Sequence, residues 1–302
     1  MDINTKHLII AVANDCFVSC TGCYNFWAKD KKIISNDDII NFLNQIDSDK
    51  IQKLTISGGD PLVRSDIVQL LTRIKKLNYR VNLDTVGTAF MNDTLSNKNK
   101  EYITYKNPKD FEGLVDTLGI PLDGADEQTI KTFRTGRENL FSEQVRILQV
   151  LDNINIKVCV NTVVHRQNVY KLQDIYEIIK GFQKVKQWQL FQYMPIGVLG
   201  YKNRATFSIT DDVFVEETNN LKKHVECNDC LNIVTKTKTQ RKNLYLLVDT
   251  AGYAWVPKTS IEENFWNNNH ISNDKRIILG NIKNHKDLDN ILCFLYHGIL
   301  VK

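Results

Sequence analysis

Six short runs of apolar and β-branched residues recur at long intervals through the first two thirds of the chain, at residues 7–13, 53–57, 80–85, 114–122, 156–164 and 187–193. Between them lie segments whose apolar residues repeat with helical period, at 36–46, 65–77, 126–132 with 142–151, and 169–182. Asp37 and Asp38 suit the N-terminus of the first of these helices. A strand that reaches the next strand through a helix returns to its starting side, so the alternation predicts a parallel sheet, wound as a barrel or as a doubly wound layer. The rhythm stops after Gly200. Residues 201–302 hold a helix-like 211–225, a hairpin-like 243–256 turning near Ala251 and Gly252, and an Asn-rich stretch at 264–273. The expected organisation is a main unit over residues 1–200 with a small α+β extension over 201–302. Residues 89–110 read as a long loop over the strand ends, and no internal repeat is found.

Composition narrows the class. With 302 residues, 42% hydrophobic and 25% charged, the chain has enough apolar material for one large core, and it is neither disordered nor linker-like with 5 prolines and 14 glycines. The balance of 39 basic against 35 acidic residues leaves +4, too little and too dispersed to predict a nucleic-acid partner. One basic run, Lys236, Lys238, Arg241 and Lys242, reads either as a solvated loop or as a clamp for an anionic or peptidic substrate. The apolar stretch at 8–13 falls far short of the roughly 20 residues a membrane span needs, and acidic Asp2 precedes it where a signal peptide would be basic. The expectation is a cytoplasmic protein with no membrane partner.

Seven cysteines stand at 16, 20, 23, 159, 227, 230 and 293. Without a secretory signal, the crowding of the first three argues for metal binding over disulfides. Cys16, Cys20 and Cys23, on a tight loop after the first strand, can converge on one centre. On a four-iron cluster, three thiolates leave one iron open to a small chelating molecule. A zinc site completed by His or a fourth Cys, and chance clustering, are the alternatives.

The pattern CxxxCxxC followed by aromatic Tyr24, after the first strand of an alternating α/β chain, resembles the radical S-adenosylmethionine (SAM) superfamily. Leu54-Thr-Ile-Ser-Gly58-Gly59-Asp60-Pro61 follows the second strand, where that family carries a GGE motif, with Asp here for Glu. The likeness covers about residues 7–195. It implies a partial (β/α)6 barrel of parallel strands and one 4Fe-4S cluster held by Cys16, Cys20, Cys23 and SAM. It also implies reductive cleavage of SAM to a 5′-deoxyadenosyl radical, fed by an external electron donor such as flavodoxin or ferredoxin, for hydrogen abstraction from a peptide or small-molecule substrate.

By the same resemblance Tyr24, Gly58, Gly59, Asp60, Thr85, Arg134, Asn161 and Met194 are candidate SAM contacts. Two glycines at a strand end permit close backbone approach, and Asp60 can accept from the SAM ammonium. Thr85 fits a family Thr-Asn-Gly position, although Val86 replaces the amide. Arg134, downstream of Asp123-Gly124, would pair with the SAM carboxylate. Asn161 matches a position facing the ribose, and Met194 one near the adenine. No catalytic side chain is assigned.

The later sequence divides between two resemblances. Residues 156–195 and 207–214 are similar to viperin-like nucleoside triphosphate dehydratases. Residues 245–257 and 279–282 are similar to the SPASM-type extension of peptide maturases, but Lys258 follows Pro257 where those enzymes place a cluster-binding Cys. Cys227, Cys230 and Cys293 are one short of a ligand set, so a second cluster is not expected; they read as structural thiols or as a hydrogen-atom donor. The expected function is hydrogen abstraction. Nucleotide dehydration, glycyl-radical-enzyme activation and a non-catalytic iron–sulfur or zinc regulator are the alternatives.

Overall fold

Strand residues of alternating character place apolar side chains on one side of a sheet and polar ones on the other, and this division organises the chain. The computed structural model describes residues 6–23, 33–91, 104–225, 231–241, 245–257 and 276–297. Its strands are β1 (Lys6–Ala11), β2 (Ser19–Cys20), β3 (Ile51–Ser57), β4 (Val81–Asp84), β5 (Thr117–Pro121), β6 (Arg134–Thr135), β7 (Lys157–Val164), β8 (Val185–Gln192), β9 (Asn232–Lys236), β10 (Tyr245–Val248), β11 (Tyr253–Pro257) and β12 (Arg276–Asn281).

The six sequence runs become β1, β3, β4, β5, β7 and β8, side by side in that order and parallel at every junction. Helices Asn36–Asn44, Ile67–Lys75, Glu127–Phe133, Leu140–Leu151 and Leu172–Ile179 fill the connections. Local chemistry sets their starts. Ser35 and Asp38 form a capping box on the first, and Asp126 accepts from Thr129 N on the third; such caps contribute about 1 kcal/mol each.

The later chain joins the same sheet. β9 lies parallel to β8 at one edge, and β10 lies parallel to β1 at the other, with β11 and β12 antiparallel beyond it. Residues on both sides of Gly200 therefore build one sheet. The expected 243–256 hairpin is β10–β11, and the helix-like 211–225 is helix Asp211–His224. Residues 264–273 and most of the 89–110 segment, residues 92–103, lie outside the described residues.

The outer face drives folding. Leu8, Ile10, Leu54, Ile56, Leu83, Leu118, Val160 and Leu190 on the strands meet Phe42, Leu70, Ile74, Ile147 and Ile175 on the helices in one buried cluster. Each fully buried aliphatic side chain contributes roughly 1.5–3 kcal/mol, so this layer leaves the inner face free to carry polar groups. Among the described residues no helix is long and apolar enough to cross a membrane.

Candidate active site

Leaving β1, the chain forms the cysteine loop, and backbone hydrogen bonds fasten it to the turn after β3. Val12 N donates to Ser57 O (2.8 Å), Gly59 N to Ala13 O (2.6 Å) and Asp60 N to Asp15 O (2.7 Å). The glycines make this approach possible. A Cβ on Gly59 would stand 2.1 Å from Asp15 O, and one on Gly58, at φ +144°, would stand 2.6 Å from Ala13 O. The close approach permitted here is thus made by the cysteine loop's own backbone. The far end of the loop is held by β6, through the pairs Ser19↔Thr135 and Cys20↔Arg134, and by Thr21 N and Oγ1, which both donate to Phe133 O. Asn203 Nδ2 donates to Thr21 O (2.7 Å).

Cys16, Cys20 and Cys23 are half-buried along this loop. Burial, with Asp60 nearby, pushes the Cys16 thiol up to about 12. Burial also raises Cys20, against the opposing pull of Arg134, whose Nη1 lies 3.2 Å from Cys20 Sγ. Thiols held neutral by burial give up their protons when metal replaces them. Among the described residues no three His, Cys, Asp or Glu side chains gather around a single metal ion. A four-iron cluster instead spreads its thiolates over separate irons, and an all-thiol set on one anchored loop fits it. Tyr24, Cys227 and Cys230 lie outside the described residues. Cys159 is buried and Cys293 half-buried.

The other candidates stand at strand ends around the loop. Asp60 is fully buried. Its Oδ1 accepts from Leu62 N (2.9 Å) and Thr85 Oγ1 (2.8 Å), and its Oδ2 from Val86 N (2.7 Å). Thr85 Oγ1 in turn accepts from Gly87 N (2.9 Å). Asp60 and Thr85, expected as separate SAM contacts, thus meet and tie the end of β3 to the end of β4. Arg134 donates through Nε to buried Asp123, whose other oxygen accepts from Val163 N (2.8 Å). Asn161 lies on the inner face, its Nδ2 3.4 Å from Asp84 Oδ1. Met194 is half-buried just past β8.

Apart from Asn161, and Lys236 in the basic run, sequence reasoning did not single out the rest of the inner face. Sheet register brings His7 of β1, Lys53 of β3 and Tyr245 of β10 into one row, and Phe191 of β8 beside Lys236 of β9. Asp84, Cys159, Asn161 and Gln189 line the same face. Gln189 Nε2 donates to Cys159 Sγ (3.0 Å), and Lys236 Nζ donates to Gln189 Oε1 (2.9 Å). Gly119 allows Asp84 and Asn161 to meet across β5, since a Cβ there would fall 2.0 Å from Asp84 Oδ1. Burial raises the Asp84 carboxyl, while burial together with Lys53 and Arg241 lowers Lys236 to about 8. The available signal was a polar residue at every second strand position, the mark of a lined interior.

Comparisons with known proteins bear on this arrangement. The sequence model of the Radical SAM superfamily matches residues 10–179. An S-adenosylmethionine-dependent nucleotide dehydratase of Lacinutrix mariniflava is 27% identical over 225 residues, covering 72% of this chain and 42% of that protein. One of Flammeovirga pacifica is 21% identical over 246 residues, covering 78% and 77%. The chain therefore spans less than half of the first relative's length. Among solved structures, Streptococcus suis SuiB bound to S-adenosylmethionine superposes with a TM-score of 0.64 at 15% identity, covering 98% of this chain and 67% of that one. The same protein bound to its precursor peptide SuiA gives 0.60 at 13% identity, covering 83% and 59%. The fold is accordingly the partial (β/α)6 barrel. With over half of its length matched by the family's sequence model, and with the two motifs fastened together at the strand ends, this chain belongs to the radical SAM superfamily of enzymes.

Proposed function

We propose that the chain abstracts a hydrogen atom from a small-molecule or peptide substrate held on the inner face of the sheet, with Cys16, Cys20 and Cys23 holding one 4Fe-4S cluster. Bound together, cluster and SAM would supply a 5′-deoxyadenosyl radical as the abstracting agent. The observation that carries this reading is the fastening of the cysteine loop to the Gly58-Gly59-Asp60 turn at the carboxyl ends of β1 and β3, the end of a parallel barrel where ligands bind.

The chain's own residues hold and shield. Gly58 and Gly59 bring the two motifs into contact, Arg134 fixes Cys20 against Asp123, and Asp60 with Thr85 fixes the neighbouring strand end. Arg134 is offered to the SAM carboxylate, and the turn at Asp60 to its ammonium. Asn161 and Met194 are offered to the nucleoside part. Residues 1–200 supply this machinery, and residues 201–302 complete the sheet edges as an extension. An external flavodoxin or ferredoxin supplies the electron.

A nucleotide is the second reading of the substrate, favoured by the names of the two sequence relatives. The test is anaerobic reconstitution and reduction with SAM, followed by assay for 5′-deoxyadenosine. Iron near four per chain and product formation are expected, with both lost in Cys20→Ala because two thiolates do not hold the cluster. Zinc in place of iron, or no 5′-deoxyadenosine, overturns the reading. Product dependence on added CTP or on a peptide separates the substrate classes.

A further inference from the structure

We infer that the inner face of the sheet binds an anionic group of the substrate, a phosphate or a carboxylate, between Lys53, Lys236 and Arg241. The inference rests on the proposed function and narrows its substrate class.

Charge imbalance is the first support. Lys53 and Arg241 both act on Lys236 across the inner face, and Lys53 and Lys236 both act on Asp84. Two lysines facing Asp84 leave a surplus of positive charge among the described residues in a partly buried space, where like charges repel and desolvation is costly. The hydrogen bonds of Asp84 and Lys236 go to neutral groups. Asp84 is bonded to the neutral amide of Asn161 (3.4 Å), and Lys236 Nζ donates to the neutral amide of Gln189 (2.9 Å). An anion with two or more oxygens supplies the missing charge through charge-assisted hydrogen bonds.

The surrounding groups complete a built site. The Tyr245 hydroxyl is buried without a hydrogen-bond partner among the described residues, and Arg241 and Asp84 both act on it. Phe191 organises the other two cations: Lys236 Nζ lies 5.2 Å and Arg241 Cζ 5.4 Å from its ring centroid. Arg241 is further positioned by its bond to Gln192 O (2.9 Å). Half of the basic run that the sequence left open as loop or clamp is thereby turned onto the inner face. Lys53 precedes Ser57 by four residues, roughly 13 Å along a strand at about 3.3 Å per residue. Lys53 thus stands deep on β3, while Lys236 and Arg241 stand by the last residues of β8, Phe191 and Gln192.

The experiment uses the full reconstituted chain with SAM bound and calorimetric titration with two probes, inorganic pyrophosphate for phosphate and glutarate for carboxylate. One probe is expected to bind, to weaken at least tenfold in the Lys53→Gln, Lys236→Gln double variant, and to tighten several-fold in Asp84→Asn. Should the double variant fail to fold, the opposite responses of single Lys53→Gln and Asp84→Asn carry the test. Binding of neither probe by the wild-type chain, or equal binding by the variants, overturns the inference. Formation of 5′-deoxyadenosine by the same wild-type sample is recorded separately. Cleavage without anion binding strikes the inference alone; anion binding without cleavage strikes the functional reading alone.

Discussion

Arg134 bridges Cys20 and Asp123: its Nη1 lies 3.2 Å from Cys20 Sγ, and its Nε donates to the Asp123 carboxylate. The bridge is backed by the β2–β6 pair that sets residue 134 beside residue 20. In the proposed role of Cys20 as a cluster ligand, such a cation would both position the sulfur and offset its negative charge once the proton is gone.

Arg134→Gln removes the charge and leaves Asp123 buried and unpaired, a loss of about 3–5 kcal/mol for a broken buried pair. The expected outcome is a lowered melting temperature and poorer iron retention. Arg134→Lys keeps the charge without the two-armed fork and should recover most of the stability but little of the iron. Thermal melting beside iron analysis checks both. Wild-type iron content in the Lys variant would show that the contact with Cys20 does not matter.

Gly59→Ala isolates the junction between the two motifs. Its Cβ would stand 2.1 Å from Asp15 O and 2.6 Å from Asn14 O, both backbone atoms with little freedom to move. The cysteine loop must shift away, so iron per chain should fall by more than half while the far-ultraviolet circular dichroism stays near wild type. Full iron loading of this variant would show that the loop tolerates separation from the turn.

These sites differ in how legible they were. The core strands were readable because Leu54 and Ile56, or Leu8 and Ile10, alternate at the period of a half-buried strand. The cysteines and Gly58–Asp60 stood out by their spacing, and the structure fastens the two motifs together. β9 was not readable, since Asn232, Thr235 and Lys236 give it no apolar alternation. Nor was the partnership of Arg134 with Cys20, which depends on a two-residue pairing across more than a hundred residues. Lys53 opens the 53–57 run without a signal of its own; only the register that sets it beside His7 and Tyr245 makes it part of a lined interior.

Asp60→Asn tests whether the acid of the second motif acts on ligand or on fold. Both oxygens are occupied by donors of the chain, so an amide NH2 would face either Leu62 N or Val86 N. One buried donor is left unmet, at a cost of about 1–3 kcal/mol. Because the same turn holds the cysteine loop, SAM affinity, iron content and melting temperature are expected to fall together. A fall in SAM affinity alone, with iron and melting unchanged, would assign Asp60 a direct contact with the ligand.

Acid should weaken the fold through His165. Its ring is fully buried, stacked on Phe133 at 5.1 Å between centroids, and Nδ1 accepts from Gln167 N (3.2 Å), which requires the neutral form. Burial lowers it from 6.5 to about 4. The folded value is the depressed one, so its stabilising contribution is present above pH 6.5 and is lost as the pH falls toward 4, while the unfolded chain takes up the proton first. The loss amounts to at most about 3 kcal/mol. His7, lowered to about 4 mainly by burial, acts in the same direction. His165→Phe keeps the ring stack and leaves Gln167 N without its acceptor, so it should cost about 1 kcal/mol at pH 7. The variant should then lose less stability than wild type between pH 7 and 4.5. Denaturant midpoints at pH 7, 5.5 and 4.5 measure the difference; parallel curves for the two proteins would show that His165 takes up its proton without unfolding the chain.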